Sequence, residues 1–143
     1  MKVAVRTLVL PLLLVIALPA CSGSRDVTVS GVVAETAATA PSSPIRLEFY
    51  EPVDPSDAAA SPAPELKLVD TASLPTAGAF SETVSIRGAK LYVVGVVDAD
   101  GSKGCTDGES WGDAIASIGA DDTATVMVNI TPQSHCLPMS TPE

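Results

Sequence analysis

LYVVGVVDADGSKGCTDGE, Leu91 to Glu109, is the stretch on which the reading of the fold turns. Leu91 to Val97 is nearly all apolar and rich in valine, with one aromatic and one glycine. A stiff β-branched run of that length suits a strand, and its lack of alternation predicts that both faces of its sheet are covered. Gly95 leaves room in its middle for a close neighbour or a bulge. The run leads into an acidic, glycine-bearing loop that gathers Asp98, Asp100, Ser102, Thr106, Asp107 and Glu109 around Cys105. A central strand and a candidate site are therefore contiguous in the chain.

Outward from this stretch, strand patterns recur. Val27, Val29 and Val33 alternate with Thr28, Ser30 and Val32, and Ile45, Leu47 and Phe49 alternate with Arg46, Glu48 and Tyr50, each pattern that of a half-buried strand. Leu66, Leu68 and Val69 mark a short strand; Phe80 to Ile86 turns Val84 and Ile86 inward; Ala124, Val126, Val128 and Ile130 alternate until Pro132. Trp111, Ala114, Ile115 and Ile118 fall on one side of a helix, with Ser110 and Asp113 resembling a capping box and Gly119 at the stop, so a short helix is expected near 110–118. The sum is an all-β chain: a two-sheet antiparallel β-sandwich of about seven short strands.

With 143 residues, the chain has room for one domain. The formal charge is −9, and all seventeen acidic residues lie after Cys21 while Lys2 and Arg6 precede it. That surface repels phosphate backbones and excludes nucleic acid as a partner. The expected organisation is a leader over 1–20, a lipidated N-terminus and spacer over 21–25, a sandwich over 26–136 and a tail over 137–143. Residues 51–65, EPVDPSDAAASPAPE, form a Pro/Ala-rich insertion without hydrophobic period.

The leader has Lys2 and Arg6, an apolar run from Leu8 to Leu18 and then Leu18-Pro19-Ala20-Cys21. The run is too short to anchor a protein across a bilayer, and small residues before a cut site mark a segment that is removed. Ending in a cysteine, the box resembles the lipobox of bacterial lipoproteins. The resemblance implies lipidation of Cys21, a membrane attachment through that lipid and, because Ser22 rather than aspartate follows, the outer membrane in a Gram-negative cell. Further on, GAFSETVSIRGAKLYVVGVVDADG, with SGVV before it and IRLEFYE between, resembles the transthyretin-like or carboxypeptidase-regulatory-like β-sandwich modules of bacterial surface lipoproteins. That resemblance implies a non-catalytic binding or adhesion module with an unknown protein or carbohydrate ligand.

The acidic loop resembles an EF-hand. Counted from Asp98, the ligand positions fall on Asp98, Asp100, Ser102, the Gly104 carbonyl, Thr106 and Glu109, all of which offer oxygen to Ca²⁺. Position six is Lys103 instead of glycine, which would have to take a left-handed turn at about 1 to 2 kcal/mol. The alternative is an ordinary strand connection with solvated acids. With Cys21 lipidated, Cys105 and Cys136 form an even pair in an oxidising place, and a disulfide is expected. A metal site on His135, Cys136 and Met139 is the other use of that cysteine, but a copper site needs a second histidine.

No nucleophile-elbow, zinc-helix or phosphate-loop motif is present, so no enzyme is expected; a small hydrolase using paired carboxylates is the remaining enzymatic alternative. Two classes stand: a tethered binding module with a Ca²⁺-stabilised rim, and a structural envelope lipoprotein without metal. The tether is tested directly. Cys21→Ser removes the thiol that carries the acyl chains, and the variant is expected in the soluble fraction after a high-salt wash while the wild type stays with membranes. Membrane retention of the variant would refute it.

Overall fold

Seven strands account for the regular structure of the computed structural model, which describes residues 23–36, 44–54, 65–103 and 105–136. The leader, Cys21, most of the 51–65 insertion, Gly104 and the 137–143 tail lie outside the described residues. The strands are β1 (Arg25–Glu35), β2 (Ile45–Pro52), β3 (Leu66–Leu74), β4 (Gly78–Ile86), β5 (Lys90–Val97), β6 (Ser110–Ser117) and β7 (Thr123–Pro132). Their hydrogen-bonded order is β3-β2-β5-β6-β7-β1-β4. One wing is β3, β2, β5 and β6; the other is β7, β1 and β4; the two join where Ser110 and Trp111 pair with Pro132 and Thr131. The outer strands β3 and β4 come near each other without pairing, so the all-β sandwich is nearly closed into a barrel.

Alternation explains which residues fill the interior. Val27, Val29 and Val33 of β1, Ile45, Leu47 and Phe49 of β2, Phe80, Val84 and Ile86 of β4, and Ala124, Val126, Val128 and Ile130 of β7 are all buried in one cluster with Leu91, Val93 and Val97 of β5. Phe49 and Phe80 meet across it, ring centroids 6.4 Å apart and tilted by 58°. Each fully buried aliphatic or aromatic side chain contributes about 1.5–3 kcal/mol. The half-exposed pair Arg25–Asp122, at 2.8 Å, belongs to a class worth about 0–1 kcal/mol. Apolar burial therefore decides the fold.

Two expectations need correction. The pairing is antiparallel except for β1 and β7, which run parallel from Thr28↔Thr123 to Glu35↔Ile130. Residues 110–117 form strand β6, and the described residues contain no helix. In β6, Gly112 and Ala116 are buried and Ala114 packs on the core, while Asp113, Ile115 and Ser117 face solvent. The large apolar residues Trp111 and Ile115 thus sit on the outer face, which disguised a period of two as a helical one. Ser110 and Asp113 cap nothing, and Gly119 belongs to the β6–β7 turn, where its amide donates to the Thr123 carbonyl at 2.8 Å.

Small inner residues on β6 are a requirement of β7. A Cβ placed on Gly112 would lie 1.9 Å from the Asn129 carbonyl oxygen, and one on Gly95, its partner on β5, 3.1 Å from Ile130 Cδ1 and 3.2 Å from Val128 Cγ1. The first obstacle is backbone and the second consists of side-chain tips. Gly112→Ala is therefore expected to destabilise by about 3 kcal/mol or more, Gly95→Ala by about 1–2 kcal/mol, and Gly23→Ala, with nothing within 4 Å, hardly at all, as read by urea unfolding. Equal midpoints for the Gly112 and Gly95 variants would contradict the close approach of β7.

Candidate functional site

The outward face of β5 requires a cover. Val94 and Val96 are buried there with Tyr50 and Cys105, and Leu66, Tyr92, Trp111 and Cys136 pack around them. The cover is the loop from Asp98 to Glu109, joined to the segment after β7 by the disulfide Cys105–Cys136, with Cα atoms 5.6 Å apart. Around this bridge, the Cys136 amide donates to Asp107 Oδ1 at 3.3 Å and the Trp111 indole N–H donates to the His135 carbonyl at 2.8 Å. Constraining the unfolded chain, such a bridge contributes about 3 to 4 kcal/mol in the chain-entropy model. His135 itself is exposed, and Met139 lies outside the described residues.

Inside the loop the acids fold the backbone around themselves. Asp98 accepts from the amides of Gly101 (2.8 Å) and Lys103 (3.3 Å). Asp100 accepts from the Ser102 amide (2.9 Å) and the Thr106 hydroxyl (3.1 Å). Glu109, buried, accepts from the amides of Ala99 (2.7 Å) and Thr106 (2.9 Å), and so ties the two ends of the loop together. Hydrogen bonds from the Ser102 side chain first, then its amide and Thr106, hold the Asp100 carboxyl below the usual carboxylate range. Lys103 has φ +61°. The strained turn expected at position six is therefore adopted, with lysine in it.

Of the sequence-derived ligand set, Asp98, Asp100 and Glu109 each bring one carboxylate oxygen to within 4.8 Å of the others. Ser102 and Thr106 lie in the same hydrogen-bonded ring, and Gly104 lies outside the described residues. Asp107 is turned instead to Cys136. An ionised carboxylate offers about four lone-pair sites, so an oxygen that accepts one amide can still ligate a hard cation.

A second polar group was not foreseen. Arg46, Glu48 and Tyr50 alternate along the outward side of β2, where half-exposed polar residues were expected, but Glu48 is fully buried. Arg46 pairs with Glu48 Oε1 and the Tyr50 hydroxyl donates to Oε2 at 2.5 Å. The neighbours of Glu48 on that side of β2 close over its carboxylate, and Tyr50 in turn packs in one cluster with Cys105 of the loop. Beside Arg46 a pocket of about 330 Å³ opens between β3 and the loop, lined by Pro44, Arg46, Thr71, Ala72, Ser73, Asp98 and Lys103. At the other end of the sandwich Glu51, also buried, accepts from the Arg87 amide (2.9 Å) and Nε (3.2 Å).

Comparisons with known proteins add little to this geometry. No protein-family model and no curated protein matches the chain. Among solved structures, it is similar to an alternative pilotin from the type II secretion system of Vibrio cholerae, at 14% identity over 76% of this chain and 100% of that one, with a TM-score of 0.45. A likeness that loose carries neither ligand nor partner to this chain.

Burial, and then the hydrogen bond and charge of Glu48, raise the pKa of Tyr50 well above its ordinary value of 10.0. A raised folded-state pKa contributes stability that is intact below pH 10 and lost as pH rises beyond it, because only the unfolded tyrosine ionises readily. The unfolding free energy is expected to fall above about pH 10, and Tyr50→Phe to flatten that alkaline limb while costing about 1–3 kcal/mol at neutral pH by leaving Glu48 Oε2 unsatisfied. An unchanged alkaline limb in the variant would remove Tyr50 from this role.

Proposed function

We propose that this protein is a non-catalytic binding module of the bacterial envelope, tethered to the membrane by lipid on Cys21, with the 98–109 loop as its Ca²⁺-stabilised rim. The observation that carries the rim is the convergence of Asp98, Asp100 and Glu109 oxygens within 4.8 Å, on a loop whose sixth residue turns left-handed. The disulfide suits an exported chain. The outer membrane as destination rests on Ser22, and the class of ligand, protein or carbohydrate, on the sequence resemblance alone. Ca²⁺ fits the donor set because hard, flexible oxygen coordination tolerates a mixture of carboxylate, hydroxyl and carbonyl groups.

A second reading has its own observation. Glu109 already closes the loop through Ala99 and Thr106, so the ring holds without an ion, as in a structural lipoprotein with an inert loop. Calcium separates the two. The purified protein is expected to bind Ca²⁺ with Kd of about 10⁻⁴ to 10⁻³ M and to gain about 2.7 kcal/mol at a hundredfold excess over Kd, seen as a rise in melting temperature. Asp98→Ala and Glu109→Gln should each abolish the rise, and Lys103→Gly should enlarge it by relieving the left-handed turn and the nearby positive charge. No rise and no calorimetric heat for the wild type across millimolar calcium would leave the structural reading.

A further inference from the structure

We propose that the pocket beside the rim binds a small carboxylate with an apolar body. Its volume of about 330 Å³ falls in the range of small-molecule sites, and its lining combines Pro44 and Ala72 with the hydroxyl-bearing Thr71 and Ser73 of β3 and the cations Arg46 and Lys103. Arg46 is held in place before any ligand arrives. Glu48 grips it from the buried side, and the Tyr50 hydroxyl fixes Glu48 in turn. Among the described residues only Nη2 of its guanidinium has a partner, and buried Nε has none. With Nε closed to solvent, Nη1 is the guanidinium nitrogen left over for a ligand, as a single donor group held in place by the Glu48 contact.

Lys103 supplies the net attraction, since the charge of Arg46 is shared with Glu48. Its ammonium makes no ion pair among the described residues, and its backbone is left-handed at φ +61° where it lines the pocket. Asp98, the acid among the described lining residues, accepts from the amides of Gly101 and Lys103 and counts against the two cations. With Asp98 in the lining and Glu48 behind Arg46 the site is formally neutral within a chain of net charge −9, so an anion is drawn by the exposed Lys103 ammonium and the guanidinium donors of Arg46, not by an excess of positive charge.

The probe is hexanoate, titrated into the ¹⁵N-labelled full-length protein in neutral detergent, with hexylammonium as the charge-reversed control. Hexanoate is expected to give saturable shifts at the amides of Thr71, Ser73 and Lys103, and hexylammonium none there. Lys103→Gly keeps the left-handed turn and removes the ammonium, so it should weaken hexanoate about tenfold or more without loss of fold. The same variant should strengthen calcium binding, so the pocket and the metal site fail separately. An N-acetylated dipeptide with a free C-terminus, compared with hexanoate, assigns the source as a peptide end or a free acid by the tighter of the two. Absence of saturable shifts, an equal response to hexylammonium, or undiminished hexanoate affinity in Lys103→Gly would overturn the proposal.

Discussion

Everything in this protein depends on burying β5 twice. Leu91, Val93 and Val97 face the sandwich interior, while Val94 and Val96 face outward and are buried to the same degree. Half of that burial comes from the opposite wing of the sandwich, and half has to come from something else. The something else is the 98–109 loop with its disulfide. An irregular segment can cover apolar surface only if its own backbone amides find partners, and here Asp98, Asp100 and Glu109 provide them. The convergence of the acids is thus a consequence of making a lid, and any ligand function has been built onto a structural necessity.

Next to the lid, the wing also has a polar interior. Glu48 is fully buried on β2, beside the covered strand, and a buried carboxylate persists only when its charge and lone pairs are met. Arg46 and Tyr50 meet them. Glu51 repeats the solution with Arg87 at the far end of the sandwich, where the β4–β5 turn closes over it. In both cases the partner is an arginine with part of its side chain still wet, which lowers the desolvation cost on that side. The pocket next to Arg46 is the outer, solvent-reaching end of this arrangement.

Much of the fold was legible because burial on a strand has a period of two and the core residues obey it. The inward sets of β1, β2, β4 and β7, the double burial of β5 and the crowding at Gly95 all follow from side-chain alternation, which is local information. Strand β6 defeated that reading. Its inner positions hold Gly112, Ala114 and Ala116, with β7 passing close behind Gly112, and its large residues point outward to the lid and to solvent. A pattern in which inside is small and outside is large inverts the usual signal, and the residues responsible for the inversion, Asn129 and Ile130, are far along the chain.

By itself, then, the sequence determined the all-β class, the identity of the central strand, the candidate acidic loop, the even cysteine pair and the expectation of a lipid-bearing leader, all of them properties of contiguous residues or of counts. Only the tertiary structure decided the parallel pairing of β1 with β7, the strand at 110–117, the burial of Glu48 and Glu51 and the pocket where Arg46 meets Lys103. These depend on which distant strands lie side by side. A residue's own neighbours state its preference for one face or the other, but whether that face meets water, backbone or a lid is set by segments tens of residues away.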